Sequence, residues 1–295
     1  MKRYCLYLFI LIGISCSAEL KAQKNGTVYK GNDPAVRYTG RTLVSPDGSV
    51  AFDWVGTYLE TRFTGGKLSV KVSETGTSYY NVFVDGKLHK VVKVCGTDTL
   101  IHLVSGIDKR IHSLKIQKRS EGEFGKTTVH QFVLSGSGRL AKEPAVRTRH
   151  IEFIGNSLTC GYGTDGKHRD EPFLVETENC NLTFASMVAR YYDADYTLIA
   201  HSGRGAARNY GDSVRVSKVT MKDRMLNTFD EDLTHKWNFK EYRPDLVVIN
   251  LGSNDFSTEP HPYKSEFTKA YKQILAQLRE HYGDIPILCI YPVAM

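Results

Sequence analysis

At 295 residues, with 41% apolar and 24% charged residues, the chain can build one large core or two modest ones, and no long region is polar enough to stay unfolded. The formal charge of +7 is spread along the chain with acidic residues interleaved, as in Lys222-Asp223-Arg224 and Asp230-Glu231-Asp232. There is no dense basic block, which argues against a nucleic-acid partner.

Lys2 and Arg3 precede an apolar run from Leu6 to Ile14, followed by small and polar residues. This is the pattern of a secretory signal sequence over residues 1–22, too short to span a bilayer. Cleavage is expected near Ala22, which implies a secreted or periplasmic protein. Gly13, Ile14 and Ser15 fit the lipoprotein signal that Cys16 would otherwise suggest only poorly. Beyond the leader stand Cys95, Cys160, Cys180 and Cys289, with no C-x-x-C pair and no zinc-type Cys/His spacing, so no metal or other cofactor is expected. Cys160 and Cys180 flank one loop; export would permit them to pair, and two separate small buried residues fit equally well.

Residues 23–144 read as short strands and turns. Leu68, Val70 and Val72 alternate with polar residues, as do Tyr80, Val82 and Val84. Asp85-Gly86 then separates the second run from Leu88–Val92, a strong hairpin signal because both turn positions need positive φ. Leu100–Val104, Leu114–Ile116 and Val129–Leu134 complete the series. With no amphipathic helix among them, the expectation is an all-β sandwich of jelly-roll type.

After Ser135-Gly136-Ser137-Gly138 and Lys142-Glu143-Pro144 the pattern changes, so residues 145–295 are read as a second domain. Ile151–Ile154, Tyr196–Ala200, Asp245–Asn250 and Ile285–Tyr291 read as strands. Leu182, Ala185, Val188, Ala189 and Tyr192 mark one helix face, and Phe267, Ala270, Tyr271, Ile274 and Leu278 another. Alternating strands and helices imply an α/β, flavodoxin-like parallel sheet covered on both faces. A doubly wound sheet calls for at least one more helix after the strand that precedes Met295, so a C-terminally incomplete chain is expected.

Three segments follow three of these strands directly. Gly155-Asn156-Ser157-Leu158-Thr159-Cys160-Gly161-Tyr162-Gly163 puts Ser157 in the turn at a strand's carboxyl end, where open parallel sheets bind ligands. It is not the G-x-S-x-G elbow, because Thr159 stands where the second glycine belongs. His201-Ser202-Gly203-Arg204-Gly205 offers the Gly203 N–H, and Gly252-Ser253-Asn254-Asp255 offers the Asn254 side-chain amide. Each alone is more often a loop than a site. Together they supply a nucleophile and two donors at one end of one sheet, the parts that acyl transfer needs.

These blocks resemble the SGNH, or GDSL-type, hydrolases: Gly155-Asn156-Ser157 matches their G-D-S block with Asn156 in place of Asp, Gly203 their oxyanion glycine, and Gly252–Asp255 their G-x-N-D block. Asn156–Gly163 behind a β-sandwich, with Phe52-Asp53-Trp54-Val55-Gly56-Thr57 and the Arg37–Arg41 region, is similar to carbohydrate esterase family two. The resemblance implies a serine esterase that deacetylates plant polysaccharides or their fragments without metal. Ser157 is then the nucleophile, and Ser157, Gly203 and Asn254 form the oxyanion hole. The family's D-x-x-H block is not found after Asp255, so no catalytic histidine is assigned; His261 and His281 qualify by residue type only. A backbone carbonyl often orients that histidine in the subfamily, so no catalytic Asp is named. Rival readings are an inactive or non-catalytic carbohydrate-binding protein, and an SGNH esterase acting on peptidoglycan or lipid. Trp54 and Trp237 are expected in the core, and Asp165 and Asp170 in solvent.

Overall fold

In a computed structural model of the protein, the described residues are 26–141 and 146–291. The expected signal sequence and the expected boundary at residues 144 and 145 fall outside them.

The first part is antiparallel: β1 (Gly26–Lys30), β2 (Val36–Thr39), β3 (Leu43–Val44), β4 (Val50–Phe52), β5 (Tyr58–Val84), β6 (Lys87–Lys118), β7 (Thr127–Ser135) and β8 (Leu140–Ala141) form one curled, jelly-roll-like sheet. The alternating runs at Leu68–Val72 and Tyr80–Val84 belong to the single 27-residue β5. Its register against β6 shifts at Thr64/Gly66, Val72/Glu74 and Glu74/Thr77, which bends the pair. Curling lets Val82 face both Lys90 and Ile116. Asp85 (φ 49°) and Gly86 (φ 76°) close the hairpin as their sequence requires. Leu68, Val70, Val72, Val82, Leu103, Leu114, Ile116 and Phe132 fill the interior.

The second part contains β9 (His150–Gly155), α1 (Ser157–Cys160), α2 (Phe184–Tyr191), β10 (Asp195–Ala200), α3 (Met221–Arg224), β11 (Leu246–Ile249), α4 (Lys264–Tyr282) and β12 (Ile287–Cys289). Its four strands lie in the order β10-β9-β11-β12, all parallel. On one face, Ile274, Leu278 and Tyr282 of α4 pack with Ile154, Ile199, Val247 and Ile249; on the other, Ala185 and Ala189 of α2 pack with Phe153, Leu198 and Val248. The α2 face differs from the sequence expectation. Leu182, Val188 and Tyr192 are exposed, and Ala185, Ser186 and Ala189 are buried. Apart from Phe184, which packs edge-on against Phe153, the helix meets the sheet through small residues, which turns Met187, Val188 and Tyr191 outward.

The two parts share their cores. Trp54 lies fully buried among the α4-side residues, and Val55 and Tyr58 among the α2-side residues. Gly56 between them has φ +75°, and a Cβ there would sit 2.6 Å from Leu198 Cδ1, so only glycine fits. Arg41, also buried, donates to the carbonyls of Met225 (2.6 Å) and Asn227 (2.8 Å), approaches Glu152 at 3.5 Å and lies over the rings of Trp237 and Phe239. Asp195, at the start of β10, accepts from Arg37 and Arg147 and from the Tyr58 hydroxyl, each at 2.7 Å. Trp54 and Trp237 are thus core residues.

Removing Arg41 leaves two carbonyls and the Glu152 carboxylate buried with fewer partners. Arg41→Ala is expected to lower unfolding stability by about 3 kcal/mol or more while both parts still unfold in one transition. Chemical denaturation followed by tryptophan fluorescence is the check, and a loss under about 1 kcal/mol would contradict this role.

Candidate active site

β9 lies between β10 and β11, with Ile154 opposite Ile199 on one side and Ile249 on the other. The three strands therefore end level, and the segments that follow them leave the sheet at the same end. Ser157 opens α1. Asn156 caps it, its Oδ1 accepting from the Leu158 N–H at 3.3 Å, and Gly161 (φ +85°) ends it. A Cβ on Gly155 would lie 2.0 Å from Thr159 Oγ1, so the strand can turn this tightly into the helix only at glycine.

Side-chain bonds fasten the three loops to one another. Asn156 Nδ2 donates to Ser253 Oγ at 3.0 Å, joining the first loop to the third. Asn254 Nδ2 donates to the Arg204 carbonyl at 2.8 Å, joining the third to the second. The carboxylate of Asp255, fully buried, accepts from the N–H groups of Ala206 (3.0 Å), Ala207 (2.7 Å) and Arg208 (2.9 Å). Gly203 (φ +74°) is held by Tyr210 N–H, which donates to its carbonyl at 2.8 Å. Ser157, Gly203 and Asn254 thus sit on neighbouring, cross-linked loops. An amide nitrogen carries two protons, so Asn254 keeps a second donor beyond its bond to Arg204.

Sequence reasoning did not find what packs against these loops from the sandwich. The turn after β6, from Arg119 to Phe124, is wedged between the first and second loops. Arg119 Nε donates to the Glu178 carbonyl at 2.6 Å, and its guanidinium pairs with Asp165. Asp165, expected in solvent, also accepts from Asn179 Nδ2 at 3.0 Å; Asp170 is solvated as expected. Glu121 accepts from Ser202, Glu123 lies 3.5 Å from His201 Nε2, and Asp53 accepts from the N–H of Asp230 at 2.8 Å. No periodicity marks such residues, because each is defined by a partner far away in the chain.

Burial shapes the ionisation here. Glu178 is pushed up to about 11 by desolvation and by the charge of Glu121, so it is held neutral, and Asp53 is pushed up to about 7 by desolvation and Asp230. Burial alone would lower His201, but Asp230, bonded to its Nδ1 at 2.7 Å, and Glu123 outweigh this and push it up to about 10. Among the described residues, two groups have ligand-type atoms within 4.8 Å of one another: Glu121, Cys160 and Glu178, and His201, Asp230 and Glu231. In the first, Glu178 keeps its proton and burial pushes the Cys160 thiol up; in the second, His201 is a cation. Loading either set with a metal would have to displace these protons. Cys160 and Cys180 are both free thiols buried in the α2-side core, which decides against their pairing.

The histidines separate by position. His201 is a caged cation. His261, in the loop before α4, is half-exposed and has Nδ1 3.5 Å from Glu259. His281 lies in the last turn of α4, at the amino end of the sheet and away from Ser157, stacked on Phe239 with ring centres 3.8 Å apart. Beside the Ser157 loop, half-exposed Tyr162 stacks on Phe173 at 3.8 Å, and Phe173 on Phe124 at 5.7 Å. A recess of about 250 Å³ lined by Tyr162, His168, Arg169, Glu171 and Phe173 opens there.

A jelly-roll-like sheet locked onto a parallel sheet whose strand ends carry G-N-S, glycine and G-x-N-D loops defines a GDSL-type hydrolase preceded by a sandwich. Residues 38–144 match the family described as carbohydrate esterase 2 N-terminal, and residues 153–295 match the GDSL-like lipase/acylhydrolase family. The solved structure of a family two carbohydrate esterase from Clostridium thermocellum in complex with cellohexaose is 34% identical, with a TM-score of 0.82 over 87% of this chain and 77% of that one. The chain belongs to family two of the carbohydrate esterases. It is 34% identical to the cellulase/esterase CelE of Acetivibrio thermocellus over 88% of its own length and 31% of that protein's. With an acetylxylan esterase/glucomannan deacetylase of Cellvibrio japonicus it shares 33% identity over 74% of its own length and 61% of that protein's. It thus spans less than two thirds of either relative. Among the described residues no helix is long and apolar enough to cross a membrane.

The raised pKa of His201 makes its ion pairs a pH-dependent source of stability. Their contribution is complete below the ordinary histidine value of about 6.5 and is lost as pH rises through about 10. The thermal midpoint is expected to fall across this window, and less steeply in His201→Gln. Equal slopes in the two proteins would show that His201 is not the titrating group.

Proposed function

We propose that this chain carries the catalytic face of a secreted serine esterase that removes O-acetyl groups from carbohydrate, hemicellulose or its oligosaccharides, through an acyl-enzyme on Ser157. The observation that carries the reading is the cross-linking of three level strand-end loops by the Asn156–Ser253 and Asn254–Arg204 bonds. Ser157 Oγ attacks the acetyl carbonyl and the sugar alkoxide departs with a proton. Water then releases acetate from the serine. The N–H groups of Ser157 and Gly203 and the free N–H of Asn254 take up the charge on the tetrahedral oxygen. His201 is pushed up to about 10 by Asp230 and Glu123, and His281 lies at the far end of the sheet, so neither is taken as the general base. Half-exposed Tyr162 beside the serine offers a ring for a sugar to stack on, and the names of the relatives point to acetylated xylan and glucomannan.

The full-length gene product is expected to hydrolyse 4-nitrophenyl acetate and acetylated xylan without added metal. Ser157→Ala should abolish both activities, because the acyl intermediate needs the hydroxyl. Asn254→Ala should lower kcat by about a hundredfold, because one oxyanion donor is lost while the nucleophile stays. Asp255→Ala should act mainly by loosening the Ala206–Arg208 loop and lowering stability. A wild-type protein that binds the polysaccharide without deacetylating it would instead support a non-catalytic binding role, and activity retained in Ser157→Ala would remove the serine from the mechanism.

A further inference from the structure

The peptide of Ser202 and Gly203 must be held still if the Gly203 N–H is to meet an oxyanion. Gly203 has φ +74° and no side chain to restrict its rotation, so its orientation depends on what grips the chain on either side. On the far side, Tyr210 N–H holds the Gly203 carbonyl at 2.8 Å and Asn254 holds the Arg204 carbonyl at 2.8 Å. On the near side, the grip comes from the sandwich. Ser202 N–H donates to Glu121 Oε2 at 2.5 Å, and Ser202 Oγ–H donates to Glu121 Oε1. Glu121 is fully buried, and its own N–H donates to Glu178 Oε2 at 3.0 Å. A Cβ on the next residue, Gly122, would sit 2.9 Å from Asp230 Cβ, so the turn that presents Glu121 cannot slide.

We propose that Glu121 is a positioning residue of the acyl-transfer site: its carboxylate, delivered by the sandwich, fixes Ser202 and thereby aims the Gly203 N–H at the acyl oxygen. Two bonds to one carboxylate leave the ψ angle of Ser202 as the main freedom of the Gly203 N–H. The sandwich is then part of the catalytic apparatus through a side chain that never touches the substrate. This rests on the esterase reading above.

What matters in this role is the reach of the acceptor. Glu121→Gln keeps the length and one acceptor for the Ser202 N–H, and its amide can donate to Ser202 Oγ. Glu121→Asp keeps the charge and withdraws it by one methylene. Glu121→Ala removes both acceptors. In the full-length protein with 4-nitrophenyl acetate, Ala and Asp are expected to lower kcat by about tenfold to a hundredfold, with KM held within about threefold and Gln within about threefold of wild type in both. The control is Leu103→Ala, in the sandwich core, which lowers the thermal midpoint and leaves kcat per folded molecule unchanged. Hydrogen exchange of the peptide spanning Ser202 and Gly203 should quicken in Asp and Ala and not in Gln or Leu103→Ala. If Glu121→Ala does not fold, the Asp and Gln pair decides. An Asp variant with wild-type kcat overturns the proposal, as does a kcat loss in Gln equal to that in Asp. A wild-type protein with no Ser157-dependent activity overturns the esterase reading itself, and this inference with it.

Discussion

Asp53 and Trp54 leave the end of β4 in the sandwich and finish inside the other half of the molecule. Asp53 receives the N–H groups of Asp230 and Glu231 at 2.8 and 3.2 Å, and the Trp54 ring is buried among Ile154, Ile199 and Ile249 of the parallel sheet. Four residues after Trp54, Tyr58 enters the core on the opposite face of that sheet. One short loop thus clasps the sheet from both sides. A tryptophan and a tyrosine each bury well over a hundred square ångströms of mostly apolar surface, so separating the halves would expose area that neither can cover alone.

The same clasp explains the charge at the seam. Arg41, Lys118, Glu121, Glu178 and Asp230 are all buried there. Isolated charges in such a place would be prohibitive, and the structure answers in two ways. Some groups are paired, as Asp230 is with His201 and Arg224. Others keep their protons, as Glu178 does. Breaking one partner leaves the other stranded, which ties the sandwich and the sheet into one electrostatic unit and makes the stability of that unit depend on pH.

Upon this frame the position of the three loops follows from strand geometry. Parallel strands in register end at one level, so loops that are far apart in sequence emerge side by side. Asn156, Asn254 and Asp255 then each bond to a neighbouring loop. The sandwich turn from Arg119 to Phe124 closes the remaining side, through Ser202, His201 and the Glu178 carbonyl.

Local chemistry was legible in the sequence wherever a residue's neighbours in the chain decide its conformation. The Asp85-Gly86 turn, the apolar β11, the strands that carry the three loops and the glycines at Gly155 and Gly203 all follow from period, steric demand and position after a strand. The α2 face was misjudged because bulk in the sequence points to a buried face, whereas a close helix-to-sheet approach selects alanines. The free state of Cys160 and Cys180 and the place of His281 were set by packing, which spacing does not report. Asp53, Glu121, Glu123 and Arg119 were out of reach altogether. Each is an ordinary polar residue in a turn until the sandwich docks, and its partners stand some 46 to 178 positions away. The sequence by itself determined the strands, their order in the chain and the loops that hold Ser157, Gly203 and Asn254. Only the tertiary structure decided that a carboxylate from the first domain grips the loop of the second, because that contact exists through burial and distance in space and leaves no periodic trace in the chain.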